Sequence, residues 1–352
     1  MVAPLDWGLG HTTRCVPIVK YLLDKGEQVL FAGNSWQRQY IERTFPEIQT
    51  IRLDGYDVQY SRSASFFMFL VVVQVPKLLK RIKSENEWLK NALKEHDIKA
   101  VISDNRYGLY HPDIPCVIMT HQLQVLSGMG SLIDNSVRRL HYGYLEKFDE
   151  RWVVDVEEKH GLAGVLSHPA EVPANTRYIG LLSQLERKEA RSSNYLLVLL
   201  SGPEPQRSLL SELLWGQLKH HKGQVVFVEG SEDAGDRNDV PKHTTYHKQL
   251  TKDRLDDVMS GAEYIICRSG YSTVMDIVKL GKKAILIPTP GQTEQEYLGK
   301  QLHEQGVLMS VVQSNFDLEK AIVSANKFPY NSLRFEGAYD RYKQSVEDWL
   351  NK

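Results

Sequence analysis

Residues 2–32 read VAPLDWGLGHTTRCVPIVKYLLDKGEQVLFA, and the order of patterns in them sets the architecture. Residues 2–5 form a short apolar run suited to a buried strand. Trp7-Gly8-Leu9-Gly10-His11 is a glycine-rich turn. Over residues 12–25, Cys15, Ile18, Val19, Leu22 and Leu23 recur at helical spacing, and Gly26 stops the helix. Residues 27–32 then return as a strand. Strand, turn, helix, strand is the opening of a parallel α/β sheet.

The same alternation continues along the chain. Short continuous apolar runs at 100–103 and 115–119 suit strands buried on both faces, and 152–154 and 177–180 suit the last strands of a first half. Residues 184–194 (QLERKEARSSN) are polar and predict a linker. A second half opens with a strand at 195–200, a small-residue turn and a helix over about 208–220. Further strands follow at 225–228, 264–267 and 284–287. The expected organisation is α/β: two doubly wound Rossmann-like domains facing a cleft, over 1–183 and 195–335, with an amphipathic helix at 336–352 returning to the first. A chain of 352 residues fits two domains at ~150 residues each.

Composition narrows the function. Lys and Arg number 43 against 44 Asp and Glu, which argues against a nucleic-acid partner. Cys15, Cys116 and Cys267 are odd in number, widely spaced and set in apolar sequence, so they read as reduced, buried thiols of a cytoplasmic protein. Residues 1–5 do not read as a signal peptide. The apolar run at 64–75 is shorter than the ~20 residues a spanning helix needs. Lys77, Lys80, Arg81 and Lys83 follow it, which suits either a core helix with a basic end or the surface of a membrane.

Ligands of open α/β sheets sit beyond the carboxyl ends of the strands, so the chemistry is sought in the turns that follow them. Gly8-Leu9-Gly10-His11 gives a turn that admits a ligand and an imidazole at a helix mouth, able to act as a base near neutral pH. Thr13 stands where a dinucleotide fingerprint has its third glycine, so a nicotinamide cofactor is not expected. Ser201-Gly202-Pro203-Glu204-Pro205-Gln206-Arg207 is a turn placed for a diphosphate, with Arg207 able to pair with it. In Cys267-Arg268-Ser269-Gly270-Tyr271-Ser272-Thr273-Val274-Met275-Asp276, the hydroxyls and backbone amides at Ser272 and Thr273 suit phosphate oxygens. Asp276, one turn on, suits a ribose diol. The same pattern also suits a capped helix with an early acid. Gln292, Glu294 and Gln295, after Pro288-Thr289-Pro290-Gly291, could reach sugar hydroxyls.

Together and in this order, these turns resemble GT-B glycosyltransferases, most closely the family of the UDP-N-acetylglucosamine transferase that makes peptidoglycan lipid II. The resemblance is best over residues 244–308. It implies a nucleotide-sugar donor, with a uracil base, held by Ser269, Gly270, Ser272, Thr273, Asp276, Gln292 and Gln295. It also implies a base-binding loop at Tyr246-His247-Lys248-Gln249-Leu250 and His11 as base or phosphate neighbour. Thr120-His121-Gln122 falls where the family has His-Glu-Gln, and Asp104, His121 and Gln122 are expected on the acceptor side. Departures are Leu9 in the first loop and the prolines near Ser201. The Gly-Leu-Gly-His-Thr-Thr-Arg-Cys stretch is also similar to nucleotide-sugar hydrolases of the pseudaminic acid pathway. A non-catalytic nucleotide-sugar-binding subunit is a further alternative. The chemistry expected is a single, inverting displacement. No Asp-x-Asp triplet occurs in the chain, so no metal or other cofactor is expected, and helix N-termini with Arg207 or Arg268 would stabilise the leaving group. The acceptor expected is lipid-linked, with the protein peripheral on the inner membrane face.

Overall fold

The computed structural model describes residues 1–56, 64–158, 160–186, 194–231, 235–237 and 239–352, side chains of 64–73 and 131 excepted. Most of the expected linker, and the side chains of most of the apolar run at 64–75, therefore lie outside the described residues. The chain divides into two compact units. One takes Met1–Gln59, Met68–Ser183 and Phe335–Lys352, and the other is built on Gln184–Arg334.

In chain order the first unit has β1 (Val2–Pro4), α1 (Leu9–Asp24), β2 (Leu30–Gly33), α2 (Ser35–Thr44) and β3 (Gln49–Arg52). It continues with α3 (Ala64–Glu95), β4 (Val101–Asp104), β5 (Cys116–Thr120), α4 (Ser131–Leu145), β6 (Glu150–Val153) and β7 (Thr176–Tyr178). Its strands form one parallel sheet in the order β3-β2-β1-β4-β5-β6-β7. The central strands are buried along their whole length: β1 and β5 are mainly apolar, while β4 also buries Ser103 and Asp104 and β6 also buries Glu150 and Arg151. Leu89 of α3 and Leu145 of α4 close the core over Val101, Ile118 and Val153. The second unit has β8 (Tyr195–Leu199), α5 (Gln206–Leu218), β9 (Gln224–Val228), β10 (Thr244–His247), α6 (Lys252–Gly261), β11 (Tyr264–Cys267) and α7 (Tyr271–Leu280). Then come β12 (Lys283–Leu286), α8 (Thr293–Glu304), β13 (Met309–Ser310) and α9 (Leu318–Ala325). Its sheet is again parallel, in the order β10-β9-β8-β11-β12-β13. Leu210, Leu214 and Trp215 of α5 cover Val198, Phe227 and Ile266.

The last helix, α10 (Arg341–Leu350), belongs to the first unit. Trp349 meets the edge of Trp152 at 5.8 Å, the Tyr21 hydroxyl donates to Glu347 at 2.6 Å, and the Leu181 amide donates to the Ala338 carbonyl at 2.8 Å.

Several elements begin earlier than the sequence suggests. The first helix starts at Leu9, not Thr12, so Gly10 lies inside its first turn; Gly8, at φ 84°, makes the turn alone. α5 starts at Gln206, not about 208, and α7 starts at Tyr271, so Ser272 and Thr273 lie inside its first turn. Tyr246 and His247, expected in a loop, end the edge strand β10. Cys15, Cys116 and Cys267 are buried free thiols.

In each unit the strand order reverses beside the first strand, between β1 and β4 and between β8 and β11. These are the switch points at which open α/β sheets hold ligands.

Candidate functional site

The register of the first sheet lines up Pro4, Asp104 and Met119 as neighbours on β1, β4 and β5, so the residues that follow share one rim. On that rim the His11 ring meets Asp104, Nδ1 to Oδ2, at 3.0 Å. Arg14, on the same face of α1, donates through Nε to Asp104 Oδ2 at 2.8 Å and through Nη2 to Oδ1. Its Nη1 reaches His121 Nδ1 at 3.1 Å. Asp104 is wholly buried, Arg14 is 2% exposed, and the His11 side chain keeps 15% of its surface.

The electrostatics follow from those contacts. Burial works to raise the Asp104 pKa, but the Arg14 charge and then His11 overcome it and hold the carboxyl well below the usual carboxylate range. Burial first, then the Arg14 charge, lowers the His11 pKa from its ordinary value; Asp104 acts against both. An ionised Asp104 can only accept, so His11 carries its proton on Nδ1 and presents Nε2 bare. Gln122 forms a turn with Thr120, its amide donating to the threonine hydroxyl at 3.0 Å. Asp104, expected among acceptor-side residues, is thus the hub beneath His11. Arg14 was overlooked as a site residue because the carboxylate it pairs with lies 90 residues away.

The second sheet is in register at Leu199, Cys267, Leu286 and Ser310, so the loops after β8, β11, β12 and β13 share a rim. Arg268 ties that rim together. Its Nη2 donates to the Gln206 carbonyl at 2.7 Å; its Nη1 donates to the carbonyls of Ile287 at 3.1 Å and Pro288 at 3.2 Å and to Gln313 Oε1 at 2.7 Å. It is 2% exposed, its Nε has no partner, and no carboxylate pairs with it among the described residues. Burial brings its pKa down to about 10.

Around Arg268, the Ser269 hydroxyl donates to the Gln295 carbonyl at 2.8 Å, and Gln295 Oε1 accepts from the Thr289 amide at 2.9 Å. Gly270 precedes α7 without a side-chain cap, and Ser272, Thr273 and Asp276 share the half-exposed face of its first turns. Gln292 stands at the N-terminus of α8 with Glu294 in its first turn. Leu250 is half-buried before α6. Ser201 and Gly202 follow β8, and Gly202, at φ 100°, takes a backbone form that favours glycine. Arg207 departs from expectation: it is buried against Glu204 and the carbonyl and carboxylate of Glu229, so it anchors the loop rather than facing a ligand.

The two parallel sheets have the GT-B fold, and the family match and curated relatives make the chain a glycosyltransferase. Residues 184–338 match the model of the glycosyltransferase family 28 C-terminal domain. Among curated proteins, the chain is 22% identical over 337 residues to the UDP-N-acetylglucosamine–N-acetylmuramyl-(pentapeptide) pyrophosphoryl-undecaprenol N-acetylglucosamine transferase of Pasteurella multocida. That match covers 92% of this chain and 87% of the relative. Among solved structures, the glycosyltransferase of kitacinnamycin superposes with a TM-score of 0.66 at 13% identity, over 99% of this chain and 97% of the other. A spinosyn rhamnosyltransferase complexed with thymidine diphosphate superposes with a TM-score of 0.61 at 15% identity, over 99% and 95%.

Proposed function

We propose that this chain moves a sugar from a nucleotide donor, a UDP-sugar, to a hydroxyl of a lipid-linked acceptor, by one inverting displacement and without a metal. The observation that carries the reading is the buried His11–Asp104 pair at the β1/β4 switch point. His11 Nε2 takes the acceptor hydroxyl proton as that oxygen attacks the anomeric carbon of the donor. The bond from that carbon to the diphosphate oxygen breaks, and its electron pair leaves with the nucleoside diphosphate. Asp104 keeps the ring in the tautomer that can accept and stabilises the imidazolium that forms.

On the second unit the diphosphate lies against the amides at the start of α7 and the turn at Ser201 and Gly202, in the field of the Arg268 charge. Asp276 takes the ribose diol, the residues around Leu250 take the base, and Gln292, Glu294 and Gln295 take the sugar hydroxyls. His121 and Gln122 serve the acceptor. The Pasteurella protein is named for a pyrophosphoryl-undecaprenol acceptor, and an acceptor of that lipid-linked class is proposed here. No helix among the described residues is long and apolar enough to cross a membrane, so membrane contact would be peripheral. Flotation with anionic liposomes tests that contact.

A thermal-shift screen of UDP, GDP, dTDP and CMP sugars tests the donor; no stabilisation by any of them sinks the reading. A second reading, hydrolysis of the nucleotide sugar, is favoured by Arg14 and Cys15 directly after the His11 turn and within the Asp104 cluster. Sugar release at equal rate with and without acceptor would select it.

A further inference from the structure

Arg14 links two histidines, reaching His11 through Asp104 and His121 directly. Nε and Nη2 grip both oxygens of Asp104, and Nη1 lies 3.1 Å from Nδ1 of His121. A guanidinium has five N–H donors, no lone pair, and does not deprotonate in proteins. Nδ1 of His121 is therefore the acceptor, and the ring proton sits on Nε2. His11 is the reverse: its Nδ1 faces a carboxylate that can only accept, so Nδ1 carries the proton. All three partners of this arrangement are held tightly, with Asp104 wholly buried, Arg14 2% and His121 5% exposed. His11 and Arg14 are three residues apart on α1, and Asp104 ends β4 while His121 directly follows the neighbouring β5, so the fold itself fixes the geometry.

We propose that Arg14 is a positioning residue that fixes the tautomer of His121 opposite to the one Asp104 imposes on His11, leaving His11 with a bare Nε2 that accepts a proton and His121 with an Nε2–H that donates a hydrogen bond to the acceptor. The assignment of that bond to the acceptor rests on the function proposed above; the tautomers do not.

The test is a long-range proton–nitrogen correlation spectrum of the imidazoles in nitrogen-15-labelled protein at pH 8, with His11→Gln and His121→Gln used for assignment. Protonated and bare ring nitrogens are well separated in such spectra. The expected result is a proton on Nδ1 of His11 and on Nε2 of His121; both rings in one tautomer, or His121 protonated on Nδ1, overturns the proposal. In Arg14→Lys a single ammonium cannot keep both partners, so His121 is expected to become a mixture of tautomers while His11 keeps its pattern. An unchanged His121 overturns the role of Arg14, and if this variant fails to fold the wild-type spectrum still decides. The donor role of His121 has its own readout. Asparagine places its amide near the Nδ1 position and glutamine near Nε2, so His121→Asn is expected to lose about tenfold more kcat/KM than His121→Gln; the opposite order refutes that role. Correct tautomers in a protein that binds no nucleotide sugar would sink the proposed function alone. A shared tautomer in a protein with full turnover would sink this inference alone.

Discussion

The two sheets repeat one strand order around the first strand, and their switch points differ in charge. At β1/β4 a carboxylate and a guanidinium are buried together, and a histidine leans on the pair. At β8/β11 a guanidinium is buried alone, dissolved in three carbonyls and an amide oxygen. Burying an ion is costly unless it is paired. The first rim settles that cost internally, and what remains is a polarised imidazole suited to moving protons. The second rim leaves a positive charge without a counter-ion among the described residues, which suits an arriving anion. In the function proposed above, one topology thus supports a proton-transfer site and an anion site, and the distinction lies at the end of the fourth strand of each sheet, where Asp104 closes β4 and Arg268 follows β11.

The largest expected effect tests the first half of this contrast. His11→Ala should lower turnover by about 100- to 10,000-fold, the range for loss of a general base, while donor affinity stays within about twofold. A matching loss of donor affinity, read by calorimetry, would mean the two rims do not divide the work.

Acid should expose a buried imidazole of the first unit. His141 is 8% exposed, with Nε2 3.1 Å from the Tyr107 hydroxyl, and burial brings its pKa down to about 4. Above about pH 6.5 the ring is neutral in both states and contributes no slope. As pH falls from there toward 4, the unfolded chain takes up the proton and the folded one does not, so stability is lost across that window, by up to about 3 kcal/mol. Urea melts between pH 7 and 4.5 should show this slope, and His141→Gln should flatten it. Equal slopes in the two proteins would refute the assignment.

Much of this arrangement was legible in the chain. Continuous apolar runs located the central strands, and the Gly8–His11, Ser201–Arg207 and Arg268–Asp276 turns fell at the rims where a doubly wound sheet places ligands. What escaped has physical reasons. β3 and β10 are edge strands with polar, half-exposed residues, so they lack an apolar run. α1, α5 and α7 follow Gly8, Pro205 and Gly270, none with a side-chain cap, so their starts carried no capping signal. The partner of Arg14, and the capture of Arg207 by Glu204 and Glu229, depend on contacts that spacing cannot reveal.

The second rim is tested by Arg268→Met. Loss of a buried charge acting on a bound anion is expected to weaken nucleoside diphosphate binding by about tenfold to a hundredfold. The measurement is calorimetric titration with UDP, alongside a melt of the apoprotein to confirm folding. Unchanged affinity in a folded variant would leave the isolated cation without a role in binding.

A smaller effect concerns pH and the first rim. His11 must be neutral to accept a proton, and burial with Arg14 lowers its pKa from 6.5. The acid limb of kcat/KM should therefore titrate below pH 6.5. Arg14→Lys loosens the bidentate grip on Asp104 but leaves a charge nearby, so the limb should move by less than about one unit. A limb at or above pH 6.5 in the wild type would contradict the electrostatics of the cluster.

The smallest expected effect is none at all, and it bears on both rims at once. If the departing diphosphate is stabilised by the amides at the start of α7 and the Arg268 charge, a divalent cation has no charge left to neutralise there. If His11 rests on an ionised Asp104, the attacking hydroxyl needs no metal to lose its proton. Turnover in excess chelator should then stay within about twofold of the untreated value. Loss of activity in chelator, restored by magnesium, would show that the isolated cation at β8/β11 is insufficient for the leaving group, and the division of charge between the two rims would have to be redrawn around a bound ion.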